Sequence, residues 1–178
     1  MFVIKLIFIG MLLIFLNFDL EIGASSIGIL PNFLGYFFMF EGIAEVVEFS
    51  DYFYNLTRYR RGVIGYSALI YAADLLGLSS RLPTLITVAT GLATTALSLF
   101  ISYNILMGVR DIESGKSQNL NSHQLYFAWK LVAVFSVLPY LTLFAPPLAL
   151  VSIMLGFAAG VYYLFAFYTA MDLFYRGS

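Results

Sequence analysis

The chain has 178 residues, of which 61% are hydrophobic and 11% charged, with a formal charge of -1, one histidine and no cysteine. Soluble domains carry about 25% charged residues, so a compact soluble fold is not expected, and the balanced charge argues against a nucleic-acid partner. The absent thiol excludes disulfides, thiolate metal sites and thiol nucleophiles; the lone His123 excludes bis-histidine haem ligation within one chain.

The apolar runs are continuous, not alternating, which indicates helices, and several are long enough to cross a bilayer. The predicted fold is all-α: a polytopic membrane helix bundle forming one domain over residues 1–178. Helix one is expected from about Phe2 to Phe18. Lys5 and the small residues Gly23, Ala24 and Ser25 give it some look of a signal peptide. Asn17, Asp19 and Glu21 intervene, however, without a clean cleavage site, so it is read as the first membrane helix. The loop EIGASSIGIL leads to Pro31, a natural first-turn residue for helix two.

Helix two, expected over Pro31 to Asp51, begins apolar and ends in Glu41, Glu45 and Glu48. These offsets place the three carboxylates within roughly 60° of arc on one helix face. Glu41 would lie about 15 Å beyond Pro31, near the middle of a ~30 Å hydrocarbon layer, where an unpaired carboxylate is costly. The polar, aromatic segment Tyr52 to Arg61 carries Arg58, Arg60 and Arg61. Helix three follows over about Gly62 to Leu78, with Asp74 toward its far end, and GLSSRLP makes a tight turn.

Helix four, about Pro83 to Val109, is uncharged and exceeds the hydrocarbon thickness, so it is expected to tilt. The hydrophilic stretch Arg110 to Gln124 separates it from helix five, about Leu125 to Phe144, which has Lys130 early and a kink expected at Pro139. Pro146 and Pro147 turn the chain into helix six, ending near Asp172.

Six helices as three hairpins, with both termini cytoplasmic, put Lys5, Arg58, Arg60, Arg61, Arg110, Lys116 and Arg176 inside and only Arg81 outside. That is the positive-inside pattern of a multi-pass membrane protein. Making Ile27 to Phe40 a re-entrant loop leaves five spans and reverses the sorting downstream.

The candidate ligand- or ion-binding residues are Glu41, Glu45 and Asp74. In one reading Glu41 is the deep member of a cation, proton or solute path; in the other, helix two ends early and its glutamates face Arg58, Arg60 and Arg61 at the inner surface. Asp74 either opens a site outward or reaches the headgroups. Lys130 either pairs with Glu45 or Glu48 or snorkels. Two small-residue stripes are expected to pack helices closely: Thr87, Gly91 and Thr95 on helix four, and Ser152, Gly156 and Gly160 on helix six. Trp129 reads as an interfacial anchor and His123 as a solvated loop residue. No catalytic set, metal cluster or cofactor motif can be assembled, so an enzyme is not expected.

The segment Leu30, Pro31, Asn32, Phe33, Leu34, Gly35 and Tyr36, preceded by an acidic end to helix one, resembles the N-terminal hairpin of small, multi-pass bacterial membrane proteins. That likeness covers the first fifth of the chain and implies no activity. Length, span count and cytoplasmic termini are also similar to the substrate-capturing subunits of energy-coupling-factor vitamin transporters, although helix one lacks their alanine-rich docking motif.

The functional expectation is a transport-related membrane subunit that binds a small solute or cation between helices. The alternative is a non-transporting scaffold or accessory protein that docks a membrane-protein partner through a small-residue face.

Overall fold

The computed structural model describes residues 3–15, 19–22, 25–28, 31–78, 82–116, 118–141 and 146–177. Asn17, Gly23, Ala24, Leu30, Ser79, Ser80, Arg81 and Phe144 lie outside them. The described residues form α1 (Val3–Phe15), β1 (Asp19–Ile22), β2 (Ser25–Gly28), α2 (Asn32–Glu45), α3 (Asp51–Thr57), α4 (Arg60–Leu75), α5 (Thr84–Lys116), α6 (Ser122–Leu141) and α7 (Ala149–Gly177). Single 3-10 turns sit at Val47–Phe49 and Pro146–Leu148. The chain divides into two compact units, Met1–Thr90 and Gly91–Ser178, with the boundary inside α5.

In the first unit, α1 and α2 cross at a pair of glycines. A Cβ on Gly10 would stand 2.5 Å from the Gly35 carbonyl oxygen and 2.6 Å from Met39 Cβ; one on Gly35 would stand 2.6 Å from Ile14. Residue 10 meets 35 and 39 while residue 14 meets 35, so the helices run antiparallel. Only hydrogen at both α-carbons allows that approach, and dispersion attraction between the two closely packed backbones offsets the roughly 1 kcal/mol that a helical glycine costs relative to alanine. The connection between them is not the plain loop expected: it pairs as an antiparallel ladder, Asp19 opposite Gly28 and Ile22 opposite Ser25. Further along α2, Tyr36, Met39, Phe40 and Ile43 recur at helical spacing and are buried with Phe53, Leu56 and Val63. Phe33 meets Tyr71 edge-on with ring centroids 5.7 Å apart, joining α2 to α4.

Several boundaries depart from the sequence expectation. Helix two does not run to Asp51. It stops at Glu45, and Val46 leaves the helical region at φ -109°, ψ 9°. Ser50 then opens α3 in an extended conformation, its side chain accepting the Tyr52 N–H at 3.2 Å. The segment read as a polar linker is thus partly helical. At the far end of α4, Gly77 has φ 64°. Its N–H bonds to Asp74 O, and Leu78 N–H bonds back to Ala73 O at 2.9 Å. This Schellman closure favours glycine because a side chain is disfavoured at positive φ.

In the second unit, α5 continues seven residues past Val109, through Arg110 to Lys116, where a hydrophilic loop was expected. Ile112 is buried on this extension, and Ser114 Oγ bonds back to the Arg110 carbonyl at 3.0 Å. The short link to α6 is tied on both sides. Glu113 accepts the Ser122 N–H at 2.9 Å, and Gln118 donates to Leu173 O at 3.0 Å, on α7. Asn121 makes the turn at φ 60°. Ser102 joins three helices: its hydroxyl accepts Trp129 Nε1 at 3.1 Å and its carbonyl accepts the Tyr163 hydroxyl at 3.1 Å. Trp129 is therefore held by α5, with its ring 5.0 Å from Tyr103, as well as being a large amphipathic side chain.

Helix α7 is apolar on both its exposed and its buried side. Leu150, Met154, Phe157, Val161, Phe165 and Tyr168 follow spacings of four and three along one side, and all are exposed. Ser152, Ala159, Tyr163, Ala166, Phe167 and Ala170 form the buried side. Burial is periodic while apolarity is not. Two helical segments, Thr84–Gly115 and Ala149–Arg176, are long and apolar enough to cross a membrane. The helices α1, α2, α4, α5, α6 and α7 follow one another in the order expected for the six predicted helices, with α3 as an additional short helix. At 14 and 16 residues, α2 and α4 reach only about 21–24 Å, short of a ~30 Å hydrocarbon layer.

Candidate functional site at the junction of α2 and α4

The helix break after Glu45 decides where the predicted carboxylates go. Glu41 stays on α2, four residues from its end, and is paired: Arg60 Nη2, from the start of α4, donates to Glu41 Oε1. Both side chains are about one-third exposed, 32% for Arg60 and 39% for Glu41. Phe37, one turn before Glu41, presents its ring 5.8 Å from the Arg60 guanidinium carbon. One α2 face therefore supplies both an ionic and an aromatic contact to the same cation.

Glu45 is the exposed last residue of α2, and Glu48 is exposed in the following 3-10 turn, off the α-helical face that sequence spacing assigned it. Asp74 lies fourteen residues along α4 from Arg60, about 21 Å of helical rise. Glu41 and Asp74 are accordingly placed toward opposite ends of α4.

An open pocket of about 690 Å³ adjoins the ion pair, lined by Ala44, Thr57, Arg58, Arg60 and Arg61. Thr57 donates its hydroxyl to Tyr54 O at 2.7 Å. Arg58 and Arg61 are exposed, and among the described residues no carboxylate stands within salt-bridge distance of either. With Glu41 offsetting Arg60, the lining retains an excess of positive charge. In the sequence these arginines carry a topology signal and are possible partners for the glutamates; that they line an open pocket follows from the helix end at Glu45 and the Ser50 cap, which bring them beside Ala44.

The remaining candidates lie along helix faces. Thr87 is exposed, its hydroxyl donating to Pro83 O at 3.5 Å. Gly91 faces Tyr140, whose hydroxyl would be 3.0 Å from an added Cβ, and Thr95 Oγ1 shares a 2.8 Å hydrogen bond with that hydroxyl. Ser152 and Gly160 are buried, and a Cβ on Gly156 would approach Phe135 O at 3.9 Å, on α6. Lys130 Nζ stands 4.4 Å over the Tyr126 ring, and His123 is exposed in the first turn of α6. Arg176 pairs with Asp172 at 2.8 Å.

These features define a helical protein with two helices fit to cross a membrane. Compared with protein-family models, with curated proteins and with solved structures, the chain matches none.

Proposed function

We propose that the chain is an integral membrane protein of the bacterial cytoplasmic membrane, with six helical passes, cytoplasmic termini and a transport-related role as a solute-binding subunit. The membrane placement is supported by α7, whose exposed stripe is as apolar as its buried one, a pattern that suits lipid and not water. The solute contacts centre on Glu41 and Arg60. A half-open ion pair between two helices, with an aromatic ring on one flank and a pocket beside it, offers a carboxylate to a cationic group and a guanidinium to an anionic one. A bare cation is the less suitable occupant, since Arg60 already holds Glu41 and two further arginines line the cavity.

The test is ligand-dependent thermal stability of purified protein against a panel of small cationic and zwitterionic solutes, each carrying a cationic group for the Glu41 carboxylate. A solute that raises the melting temperature of the wild type, with the shift lost in Glu41→Gln, supports the reading. Undiminished shifts in Glu41→Gln remove the residue from it. A stoichiometric membrane-protein partner captured by crosslinking in native membranes, with no solute effect at all, would instead favour the scaffold alternative.

A further inference from the structure

Arg58, at the end of α3, and Arg60 and Arg61, opening α4, belong to a segment that is unusually aromatic for a cationic one. Phe49, Tyr52, Tyr54 and Tyr59 are all exposed around α3, while Phe53 and Leu56 are buried beneath it. Exposed tyrosines flanking arginines are the composition of a membrane–water boundary, where the rings lie at headgroup level and guanidinium groups meet phosphates. The pocket of about 690 Å³ lies within this segment, and two of its arginines, Arg58 and Arg61, have no carboxylate within salt-bridge distance among the described residues. Arg60 is the exception, held by Glu41 and Phe37, and it gives the lining a fixed edge.

The geometry points to a binding site for a phosphate-type anion in this pocket, held by Arg58 and Arg61 with Arg60 as a fixed neighbour. A planar guanidinium offers paired N–H donors matched to phosphate oxygens, and two such groups across one cavity can engage a single tetrahedral anion. The phosphate is either carried by an anionic phospholipid headgroup or free in solution. The anion chemistry stands on the pocket alone; the lipid source also rests on the membrane placement proposed above. The site differs from the Glu41-centred one in the residues that carry it, so the two fail separately.

The experiment uses the full chain, purified in an uncharged detergent at constant ionic strength. Its melting temperature is titrated with dihexanoyl phosphatidylglycerol, dihexanoyl phosphatidylcholine and sodium phosphate. A saturable rise with phosphatidylglycerol that exceeds that with phosphatidylcholine, and is absent with phosphate, assigns the site to a lipid headgroup. A saturable rise with sodium phosphate assigns it to the free anion. In either case half-saturation should move about fivefold higher for each of Arg58→Gln and Arg61→Gln, while Glu41→Gln leaves a saturable response. Both arginines are exposed, so the variants are expected to fold, and Arg58→Lys/Arg61→Lys should recover part of the response. No rise with any probe, or an unchanged rise in the Arg58→Gln/Arg61→Gln double variant, overturns the proposal.

Discussion

Gly10 and Gly35 hold the first unit at its tightest point, and each excludes even a methyl group. Gly10→Leu or Gly35→Leu would force backbone apart, and overpacking of this kind costs about 1–3 kcal/mol or more. We expect either variant to unfold at a clearly lower denaturant concentration than wild type. Gly65→Ala is the matched control. Nothing lies within 4 Å of a Cβ there, so the alanine should be neutral or stabilising by up to about 1 kcal/mol. The ion pair is a weaker element. Because Glu41 and Arg60 are each about one-third exposed, a double-mutant cycle with Glu41→Gln and Arg60→Gln should return a coupling of about 1 kcal/mol or less. A coupling several times larger would mean that the pair is shielded from solvent in the membrane. Of these residues, Gly35 was visible as part of the Pro31 to Tyr36 segment. Gly10 was not, because a glycine inside a uniformly apolar run reveals a close approach only once its partner is placed. The sequence offered Arg58, Arg60 and Arg61 together as partners for the glutamates, and the contact formed is Glu41–Arg60. A nineteen-residue separation carries no periodic signal, so its geometry could not be read in advance.

At the scale of elements, most helices were legible because proline and apolar runs mark them: Pro31 and Pro83 immediately precede α2 and α5, and Pro147 falls in the turn before α7. What was missed are the ends. α2 stops where two β-branched valines, Val46 and Val47, meet a Ser50-Asp51 helix-start signal; the carboxylate periodicity masked that signal by continuing to Glu48. α5 overruns its apolar stretch because Arg110, Asp111 and Glu113 are compatible with helix, and polarity alone marks the exit from lipid and not the end of a helix. The cap can be tested directly. Ser50→Ala should cost about 1 kcal/mol of stability, while Ser50→Asp, which also accepts the Tyr52 N–H, should retain most of it. If the alanine variant is silent, the break between α2 and α3 is held by packing of Phe53 and Leu56 and not by its cap.

For the whole molecule, the membrane reading depends on a surface that is apolar where it is exposed. In the Thr84–Gly115 span, 6% of the most apolar window is buried within the structure, against 33% for Ala149–Arg176. Core helices of soluble proteins pass a hydropathy test by being buried; these two pass it while largely uncovered, which in water would be an aggregation surface. Threading follows from charge, and the absence of cysteine makes it directly measurable, since each introduced thiol is the sole reactive one. With six passes, Arg61→Cys and Ser114→Cys in intact cells should be protected from a membrane-impermeant maleimide and become reactive after permeabilisation. Leu76→Cys, beyond α4, should react without permeabilisation. The short lengths of α2 and α4 sharpen this test, because helices of about 21–24 Å need local thinning or flanking residues to complete a crossing. If Arg61→Cys and Leu76→Cys label from the same side, α4 does not cross, and the arginine pocket and the turn at Gly77 share one aqueous face. The six-pass arrangement would then fail, while the lipid-facing assignment of α7, which rests on its own exposed stripe, would stand.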